Sequence, residues 1–510
     1  MRKYNLVVST KSATIIGLNV YEINIEVDTI NSIPQVAIIG LPDTAISEAK
    51  ERLRLAIKNS GYSFPSTKVV INLAPADLKK EGSSYDLAMA VGILLKEQVI
   101  KEFDKNIAFI GELSLDGSLR AVNGILPIVC GLEELGIKKV ILPVENLEEA
   151  SFIEGIEALG ADNLSQVVEY LNQNSELKKL KQKIDDFIEE ENSYSVDFKH
   201  VKGQIQAKRA LEIAAAGAHN VLMSGSPGSG KTMLSRAFMS ILPPLTSKEA
   251  IELTKIYSIS GLLDRKNPLI TKRPFRAPHN SASAVGIIGG GSNPKPGEIT
   301  LAHRGVLFLD EMVEFPRTTL EVLRQPLEDN IVTISRAQTS IQYPANFILI
   351  GAMNPCPCGF LGDNKKQCTC SEFQINRYRA RLSGPLLDRI DIQIKVQRLS
   401  DDELLSANQE AESSEEIRTR VISARKIQLE RYKNDGILTN SELNSKLMKK
   451  YCKIDDSSKQ FLKNAINQFN LSARAYDRLL KISRTIADLE NSKDITINHI
   501  AQALQLRSFT

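Results

Sequence analysis

Apolar residues in the first part of the chain alternate between the spacing of helices and the spacing of strands. Residues 43–60 repeat apolar side chains on one helical face, and Gly61 can end that helix. Residues 68–72 and 138–143 have the short apolar runs that are typical of strands. The pattern therefore predicts an α/β domain that extends to about Tyr170.

Three apolar runs in the middle of the chain are each followed by polar or glycine-rich residues. They occupy 220–224, 305–309 and 346–353. Short, largely apolar runs are the form that buried parallel strands take, and the polar residues after them would lie at one edge of the sheet. The run at 220–224 leads through a glycine-rich loop into a predicted helix at 232–239. We therefore expect a parallel-sheet domain with its functional residues at the carboxyl edge.

The last part of the chain has helical patterns throughout. Heptad-like spacing occurs at 417–432 and 476–489. Residues 172–196 are polar and charged, as in a solvated helix or a linker, and are interpreted as a domain boundary. The predicted organisation is an α/β domain at 1–171, a linker at 172–196, a parallel-sheet domain at 197–400 and a helical domain at 401–510.

Composition changes this picture only a little. The 510 residues include 42% hydrophobic and 25% charged residues, with a net charge of +3, so any nucleic-acid contact must come from a local basic patch. No apolar run is long enough to cross a bilayer, and Met1 begins no visible secretory signal. Six cysteines in this length make no disulfide scaffold, so a cytoplasmic location is expected.

The most informative motif is a perfect match to G-x-x-x-x-G-K-[ST] between a predicted strand and a predicted helix. In such a loop backbone N–H groups surround a polyphosphate, Lys231 reaches the β- and γ-phosphates, and the Thr232 hydroxyl holds Mg²⁺. The predicted cofactors are therefore ATP and Mg²⁺. The predicted ATP-binding residues are Gly225, Ser226, Pro227, Gly228, Ser229, Gly230, Lys231 and Thr232.

Two acidic residues follow the second apolar run. Beside a phosphate loop, Asp310 would support Mg²⁺ and Glu311 would polarise the attacking water. Such acids also end many buried strands that have no catalytic role. The interval of 78 residues between Thr232 and Asp310 favours the catalytic interpretation.

Several longer motifs add a family resemblance. They are Val201–Gln204, Ala207–Ala216, Arg273–His279, Pro296–His303, Leu327–Ala337 and Met353–Gly359. Together with the phosphate loop they resemble the magnesium-chelatase-like AAA+ ATPases, and specifically the ComM/YifB family, over nearly the whole chain. The resemblance implies an AAA+ P-loop core with a C-terminal helical lid.

The resemblance also implies roles for three residues outside the phosphate loop. Asn354 is similar to sensor 1, and Arg474 to the sensor 2 arginine that contacts the γ-phosphate of its own subunit. Arg389 is similar to the arginine finger that acts on a neighbouring subunit's ATP, which implies a homo-oligomeric ring, usually a hexamer. The alternative is that Arg389 and Arg474 form ordinary surface salt bridges. Three further arginines compete for the finger role: Arg377, Arg379 and Arg381.

Two segments resemble the insertions of this clade. Residues 331–344 alternate like a β-hairpin with Arg336 near its turn, and 273–293 resembles a glycine-rich inserted loop that contains Arg276. In a ring these would face the pore, where Arg276 and Arg336 could contact a DNA backbone. The alternative is that both segments pack between subunits and contact no ligand.

A cysteine cluster follows Asn354. Cys356, Cys358, Cys368 and Cys370 form two C-x-C pairs that could enclose a structural Zn²⁺. Unliganded, reduced cysteines are the alternative.

The first domain resembles the Lon protease domain. Ser84 matches the nucleophile of that domain, but Leu126 stands where the lysine base is expected, and leucine cannot accept a proton. We therefore expect a binding or oligomerisation module without peptidase activity.

The leading hypothesis is an ATP hydrolase that moves along single-stranded or branched DNA. The resemblance implies helicase or branch-migration activity in recombination during natural transformation. A remodeller of a protein partner, as in the magnesium chelatase ATPase subunits, is the alternative. The two hypotheses differ in whether DNA or a protein stimulates ATP hydrolysis.

Overall fold

The computed structural model describes most of the chain, and its residues fall into two compact units. The first unit comprises Met1–Glu189 and Thr246–Thr271, and the second comprises Glu190–Leu245 and Lys272–Thr510. The described residues are 7–78, 80, 82–188, 196–264, 266–291, 294–335, 340–399, 412–469 and 471–507.

The strands are β1 Val8–Ile16, β2 Asn19–Ile30, β3 Val36–Ile39, β4 Lys68–Ala74, β5 Ile107–Phe109, β6 Glu112–Leu113, β7 Leu119–Arg120, β8 Lys139–Pro143, β9 Glu157–Ala161, β10 Lys178–Lys179, β11 Val221–Ser224, β12 Phe275–Arg276, β13 Gly289–Gly290, β14 Lys295–Pro296, β15 Val306–Leu309, β16 Ile331–Ser335, β17 Ser340–Pro344, β18 Ile348–Met353 and β19 Ile392–Lys395. The helices are α1 Thr44–Asn59, α2 Asp86–Lys96, α3 Ile125–Glu134, α4 Leu147–Ala150, α5 Leu164–Leu171, α6 Asp185–Ile188, α7 Ile205–Gly217, α8 Lys231–Phe238, α9 Ser247–Ser260, α10 Ala284–Ile288, α11 Glu298–Leu301, α12 Arg317–Glu321, α13 Arg324–Asp329, α14 Glu372–Arg379, α15 Gly384–Leu387, α16 Ser414–Tyr432, α17 Ser445–Tyr451, α18 Asp456–Phe469, α19 Ala473–Leu489 and α20 Ile497–Gln505. Short 3₁₀ turns lie at Val144–Asn146, Phe198–His200, Met239–Ile241, Met312–Glu314 and Asn440–Glu442.

The first unit is built on a mixed sheet with the strand order β10-β9-β8-β5-β1-β2-β4-β3. Its first helix, α1, begins where the sequence pattern predicts, because the Asp43 carboxylate accepts the Ile46 N–H at 2.8 Å. The apolar face of α1, which includes Leu53 and Ile57, is fully buried in the core beside the sheet. The predicted helix and the predicted strands of this α/β domain are confirmed.

A segment that follows α8 in sequence packs in the first unit. Thr246 and Glu249 form a capping box at the start of α9. Ala250 and Leu269 are buried in the same apolar cluster as the side chains of α3. The Ser258 hydroxyl donates a hydrogen bond to the buried Glu149 carboxylate. The first unit is therefore completed by residues that lie some sixty positions beyond its main stretch. No sequence pattern indicated this arrangement.

The second unit contains a parallel sheet with the strand order β12-β15-β18-β11-β19. The strand that enters the phosphate loop, β11, lies between β18 and β19. The C-terminal helices share one apolar core with this sheet, and Ile417 and Ile486 are buried in it. The predicted α/β class, with a parallel sheet and a helical C-terminal region, is confirmed.

Arg273 fixes the point where the chain leaves and re-enters the second unit. Its guanidinium donates to the carbonyl oxygens of Pro243 at 2.7 Å, Pro244 at 3.1 Å and Arg304 at 2.6 Å. These bonds hold together the two ends of the segment that contains α9.

Among the described residues, we find no helix that combines the length and the apolar character needed to cross a bilayer.

Candidate active site

The phosphate loop follows β11 at the carboxyl edge of the parallel sheet. Gly225 is required there because a Cβ would lie 2.2 Å from the Val396 carbonyl oxygen. Gly230 has a φ of +91° and precedes the first residue of α8, so the N-terminus of that helix faces the loop. The loop thus presents backbone N–H groups and a helix N-terminus, which together favour a polyphosphate.

Lys231 folds its side chain back over the phosphate loop. Its ammonium donates to the carbonyl oxygens of Gly225 at 2.6 Å and Ser226 at 3.1 Å. Burial lowers the pKa of Lys231, and the carboxylates of Asp310 and Glu311 oppose that effect. The charge is therefore held inside the loop, where a bound phosphate would compensate its burial.

Two expected Mg²⁺ ligands meet at the same edge. The Thr232 hydroxyl donates to the Asp310 carboxylate at 3.0 Å. A hydroxyl and a carboxylate in contact are oxygen donors of the kind that Mg²⁺ takes in phosphoryl-transfer sites, so these residues fit the ion. The contact joins α8 to the end of β15, which are 78 residues apart in sequence.

Glu311 has an unusual backbone conformation. Its φ is +48° and its ψ is +45°, which is left-handed for a residue with a Cβ and costs roughly 1–2 kcal/mol. The side chain is exposed, and one of its carboxylate oxygens accepts the Asn280 amide at 3.3 Å. The strained turn places Glu311 directly after Asp310, and Asn280 contacts its carboxylate there.

Asn354 follows β18 directly, one strand away from Asp310. In the sheet Ser224 pairs with Met353 and Leu309 pairs with Gly351, so the three strand ends are adjacent. The Gly225 N–H donates to the Met353 carbonyl at 3.2 Å. The structure therefore brings the phosphate loop, both acids and Asn354 together at one edge.

Arg389 and Arg474 lie at the opposite edge. They line an open cleft of about 370 Å³ together with Asn220, Asn346 and Asp391, which precede β11, β18 and β19. Residues 220 and 225 are separated by one strand, which spans roughly 16 Å at 3.3 Å per residue. Arg474 is therefore remote from its own phosphate loop. The expectation that it contacts the γ-phosphate of its own subunit is wrong, because the lid helix α19 begins at the amino edge of the sheet.

Arg389 is held in place by contacts within its own chain. Its guanidinium forms an ion pair with Glu328 and donates to the Pro385 carbonyl at 2.8 Å, and only 9% of its side chain is exposed. Burial, followed by repulsion from Arg474, lowers the pKa of Arg389. Among the competing arginines, Arg381 pairs with Glu314 at 2.7 Å. The Arg389 position is thus preformed and cationic.

A buried polar network supports this cleft. The Asp391 carboxylate accepts the Asn220 N–H at 3.0 Å and pairs with Arg478. Burial would raise the pKa of Asp391, but the charge of Arg478 and then the hydrogen bond from His219 outweigh this effect. The pKa of Asp391 is therefore well below its usual range. Asp391 is therefore an anchor between the sheet and α19.

The four clustered cysteines are close enough to share one metal ion. Their sulfur atoms all lie within 4.8 Å of one another. Cys356 Sγ is 3.4 Å from Cys358 Sγ and 3.6 Å from Cys368 Sγ. Four sulfurs at about 2.3 Å from a tetrahedral Zn²⁺ would be about 3.8 Å apart. The Cys370 sulfur also accepts the Cys358 N–H at 3.4 Å. The donor set fits zinc.

Cys358 has the electrostatic surroundings of a thiolate. Backbone N–H groups of Phe360 and Thr369 lower the pKa of Cys358 to about 6. The remaining cysteines, Cys130 and Cys452, are buried elsewhere as free thiols.

Of the two residues predicted to contact DNA, the structure describes only Arg276. Arg276 lies on the edge strand β12, and its Nε and Nη2 atoms each donate to a carboxylate oxygen of Glu298 at 2.7 Å. The expected glycine-rich loop is therefore partly strand, and Arg276 is already paired in it. Arg336 lies outside the described residues.

The predicted hairpin around Arg336 is confirmed as β16 and β17. It is anchored by one buried face, which includes Val332 and Tyr343. The Tyr343 hydroxyl donates to the Pro294 carbonyl at 2.8 Å, and burial raises the pKa of Tyr343 to about 12. The base of the hairpin is thus fixed to the core.

In the first unit, the residues that match the Lon site are not arranged as a serine–lysine pair. Ser84 lies in the turn before α2, and Leu126 is fully buried on α3. The Leu126 N–H donates to Glu149 at 3.0 Å, and burial raises the pKa of that carboxyl. At this position the structure offers a buried apolar side chain, which cannot serve as a base.

Three further residues were not singled out by sequence reasoning. They are Asn280, which contacts Glu311; Glu328, which pairs with Arg389; and Asp363, which lies beside Ser226. Glu328 lies within the motif Leu327–Ala337, but its partner is 61 residues away. None of these contacts follows from spacing along the chain.

Comparison with known proteins matches nearly the whole chain. The family "Magnesium chelatase, subunit ChlI" matches residues 197–404. Two further families match other parts of the chain. "Subunit ChlI of Mg-chelatase" matches residues 25–146, and "Magnesium chelatase, subunit ChlI C-terminal" matches residues 411–507. The matches cover both units and include the phosphate loop, the acids and the lid.

Full-length relatives are also found. The chain is 41% identical over 496 residues to "Competence protein ComM" of Haemophilus influenzae, covering 96% of each protein. It is 41% identical over 504 residues to "Uncharacterized protein YifB" of Salmonella typhimurium, covering 98% of this chain and 97% of the relative. A shorter stretch of 120 residues is 29% identical to "Lon protease 2" of Bacillus subtilis, covering 23% of this chain and 21% of that protein.

Proposed function

The chain belongs to the ComM/YifB family of magnesium-chelatase-like AAA+ proteins, and we propose that it is a ring-forming ATPase that couples ATP hydrolysis to movement along DNA. The observation that carries the ATPase assignment is the contact between Thr232 and Asp310, with Glu311 next to it. The observation that favours a ring is that Arg389 and Arg474 lie at the edge away from their own phosphate loop.

The proposed chemistry divides among residues at the carboxyl edge. Lys231 and the loop N–H groups bind the phosphates, while Thr232 and Asp310 would hold Mg²⁺. When bound, Mg²⁺ neutralises charge on the phosphate oxygens. Glu311 orients the attacking water and accepts its proton, and Asn354 helps to position that water.

The opposite edge would act on a neighbouring subunit. In a ring, the cleft with Arg389 and Arg474 would face the next subunit's ATP, so both arginines stabilise charge in trans. Glu328 and Pro385 would keep Arg389 ready for that contact. This arrangement makes the assembled ring, which we propose to be a homo-hexamer, the active form.

We propose that DNA is the polymer along which the ATPase moves. Membership in the family of a protein named for competence supports this, as does the anchored hairpin β16–β17, since Arg336 follows β16 in the sequence. The contact would be to backbone phosphates and therefore salt-dependent. The test is ATP hydrolysis measured with single-stranded, duplex and branched DNA: stimulation is expected, and its loss with Arg336→Ala would assign the contact.

A protein remodeller is the second candidate, because the family matches are to the magnesium chelatase subunit ChlI over three segments. Stimulation of hydrolysis by a protein, with no response to any DNA, would establish it. In both cases we propose that the first unit is a binding module, since Leu126 leaves Ser84 without a base.

We also propose that the four-cysteine cluster holds one structural Zn²⁺ per chain. The sulfur separations and the backbone N–H donors to sulfur support this. Metal analysis of protein purified without added zinc tests it, and a protein that holds no zinc after reconstitution would contradict it.

A further inference from the structure

The cysteine loop, defined as residues 354–371, lies directly against the phosphate loop. At Gly359 a Cβ would be 2.8 Å from Pro227 Cδ and 2.9 Å from Pro227 Cγ, which is closer than carbon atoms approach. The backbone of Gly359 therefore packs on the Pro227 ring without space for a side chain.

A second contact involves the preceding residue of the phosphate loop. Asp363 Oδ1 accepts the N–H groups of Lys365 at 2.8 Å and Lys366 at 2.9 Å, so its carboxylate is fixed by its own turn. The hydroxyl of Ser226, a residue that is 6% exposed, lies close enough to this carboxyl to lower the pKa of Asp363. Two consecutive residues of the phosphate loop, Ser226 and Pro227, thus have neighbours on one side of the cysteine loop.

The cysteine loop has little regular structure of its own. Residues 354–371 are all described, and they contain turns and bends but neither helix nor strand. The four sulfurs lie at the point where the two halves of this loop meet. A metal ion bound there would close the loop and limit the positions of Gly359 and Asp363.

We propose that the metal ion of the cysteine cluster supports the phosphate loop, so that nucleotide affinity depends on metal occupancy. The inference rests on the proposed zinc ion and the proposed ATP site, and it adds a connection between them. Gly359 and Asp363 are positioning residues that act through Pro227 and Ser226. A displacement of about 1 Å in a positioned group can cost up to ~10²-fold. We therefore expect metal loss to raise the nucleotide Kd by about tenfold or more.

The first experiment removes the metal from the full-length protein. Zinc is released with a thiol-reactive mercurial, the mercurial is displaced with excess thiol, and Mg²⁺ is restored before a fluorescent ADP analogue is titrated. Zinc content is measured on the same samples. The expected result is weaker binding in the zinc-free protein and recovery after zinc is added back. Equal nucleotide affinity with and without zinc would overturn the proposal.

The second experiment separates the contact from the metal. Gly359→Ala and Gly362→Ala both place alanine at a positive φ, +85° and +77° respectively, so their backbone strain is similar. At Gly362 a Cβ would have nothing within 4 Å, whereas at Gly359 it would meet Pro227. With about one zinc per chain in both variants, Gly359→Ala should bind nucleotide at least ~10-fold more weakly than Gly362→Ala.

Three further outcomes would overturn the inference, each by contradicting a different part of it. If the two glycine variants bind nucleotide equally well at equal zinc content, the contact with Pro227 does not influence nucleotide affinity. If the wild-type protein holds no zinc after reconstitution, the proposed zinc site is contradicted. A zinc-loaded wild-type protein that binds no nucleotide would instead show that the ATP-site proposal is the one that failed.

Discussion

Glu311→Gln tests the catalytic arrangement most specifically. Glutamine keeps a carbonyl oxygen that can still accept the Asn280 amide, and it keeps the left-handed backbone at the same cost. What it loses is the ability to accept a proton from water. A positioned general base contributes about 10²–10⁴-fold in rate. At 1.36 kcal/mol for each tenfold, the barrier to hydrolysis should rise by about 3–5 kcal/mol.

Nucleotide binding should change little in this variant, because Lys231 and Thr232 are untouched. We expect a Kd within about threefold of wild type, and stability within about 0.5 kcal/mol, since the Glu311 side chain is exposed. Steady-state ATP hydrolysis and titration of a fluorescent ADP analogue measure the two effects separately.

Glu314→Gln is the matched control. Glu314 lies one turn further along, is about half exposed and pairs with Arg381 at 2.7 Å. The loss of an exposed ion pair costs at most about 1 kcal/mol, so this variant should hydrolyse ATP at close to the wild-type rate. Wild-type hydrolysis by Glu311→Gln, or an equal loss in Glu314→Gln, would refute the assignment of the water-polarising residue.

Three other predictions follow from the same geometry. Asn280→Ala should raise DNA-independent hydrolysis several-fold, because the amide no longer occupies the catalytic carboxylate; an unchanged basal rate would count against this role. Arg389→Ala should bind nucleotide normally and hydrolyse ATP about 10³-fold or more slowly. Mixing this variant with Lys231→Ala subunits should restore part of the activity. If intact mixed rings recover no activity, Arg389 does not act in trans. Leu269→Ala, which opens a cavity in the core of the first unit, should lower its unfolding free energy by about 2–5 kcal/mol in urea titrations, whereas the exposed Leu262→Ala should change it by less than about 0.5 kcal/mol.

The elements that position the ATP site could be predicted from the sequence, because each depends on a local pattern. The strand before the phosphate loop, the loop itself and the acids after β15 are defined by a few consecutive residues. The hairpin β16–β17 was predictable for the same reason, since its alternation of apolar and polar residues needs no distant partner.

The positions of the arginines could not be predicted in the same way. A motif shows that Arg474 begins a lid helix, but not which edge of the sheet that helix begins at. That depends on how the lid packs, through contacts such as Arg478 with Asp391, 87 residues apart. The correction for Arg474 therefore comes from long-range packing.

The assignment of α9 to the first unit also depends on long-range packing and could not be predicted from the sequence. Helix α9 has a good capping box and an apolar face, so its existence could be expected from the sequence. Its place in the first unit depends on Ala250, Leu269 and the bond between Ser258 and Glu149. Arg276 is comparable, because an arginine in a glycine-rich stretch suggests a phosphate contact until its partner Glu298 is seen.

The most direct test of the central claim is the rate of ATP hydrolysis measured with a panel of DNA structures at increasing salt. The proposal predicts that single-stranded or branched DNA raises the rate, and that the stimulation falls steeply as salt is added, because the contacts are to backbone phosphates. If no DNA changes the rate at any salt concentration while a protein partner does, movement along DNA is contradicted and the remodeller is supported.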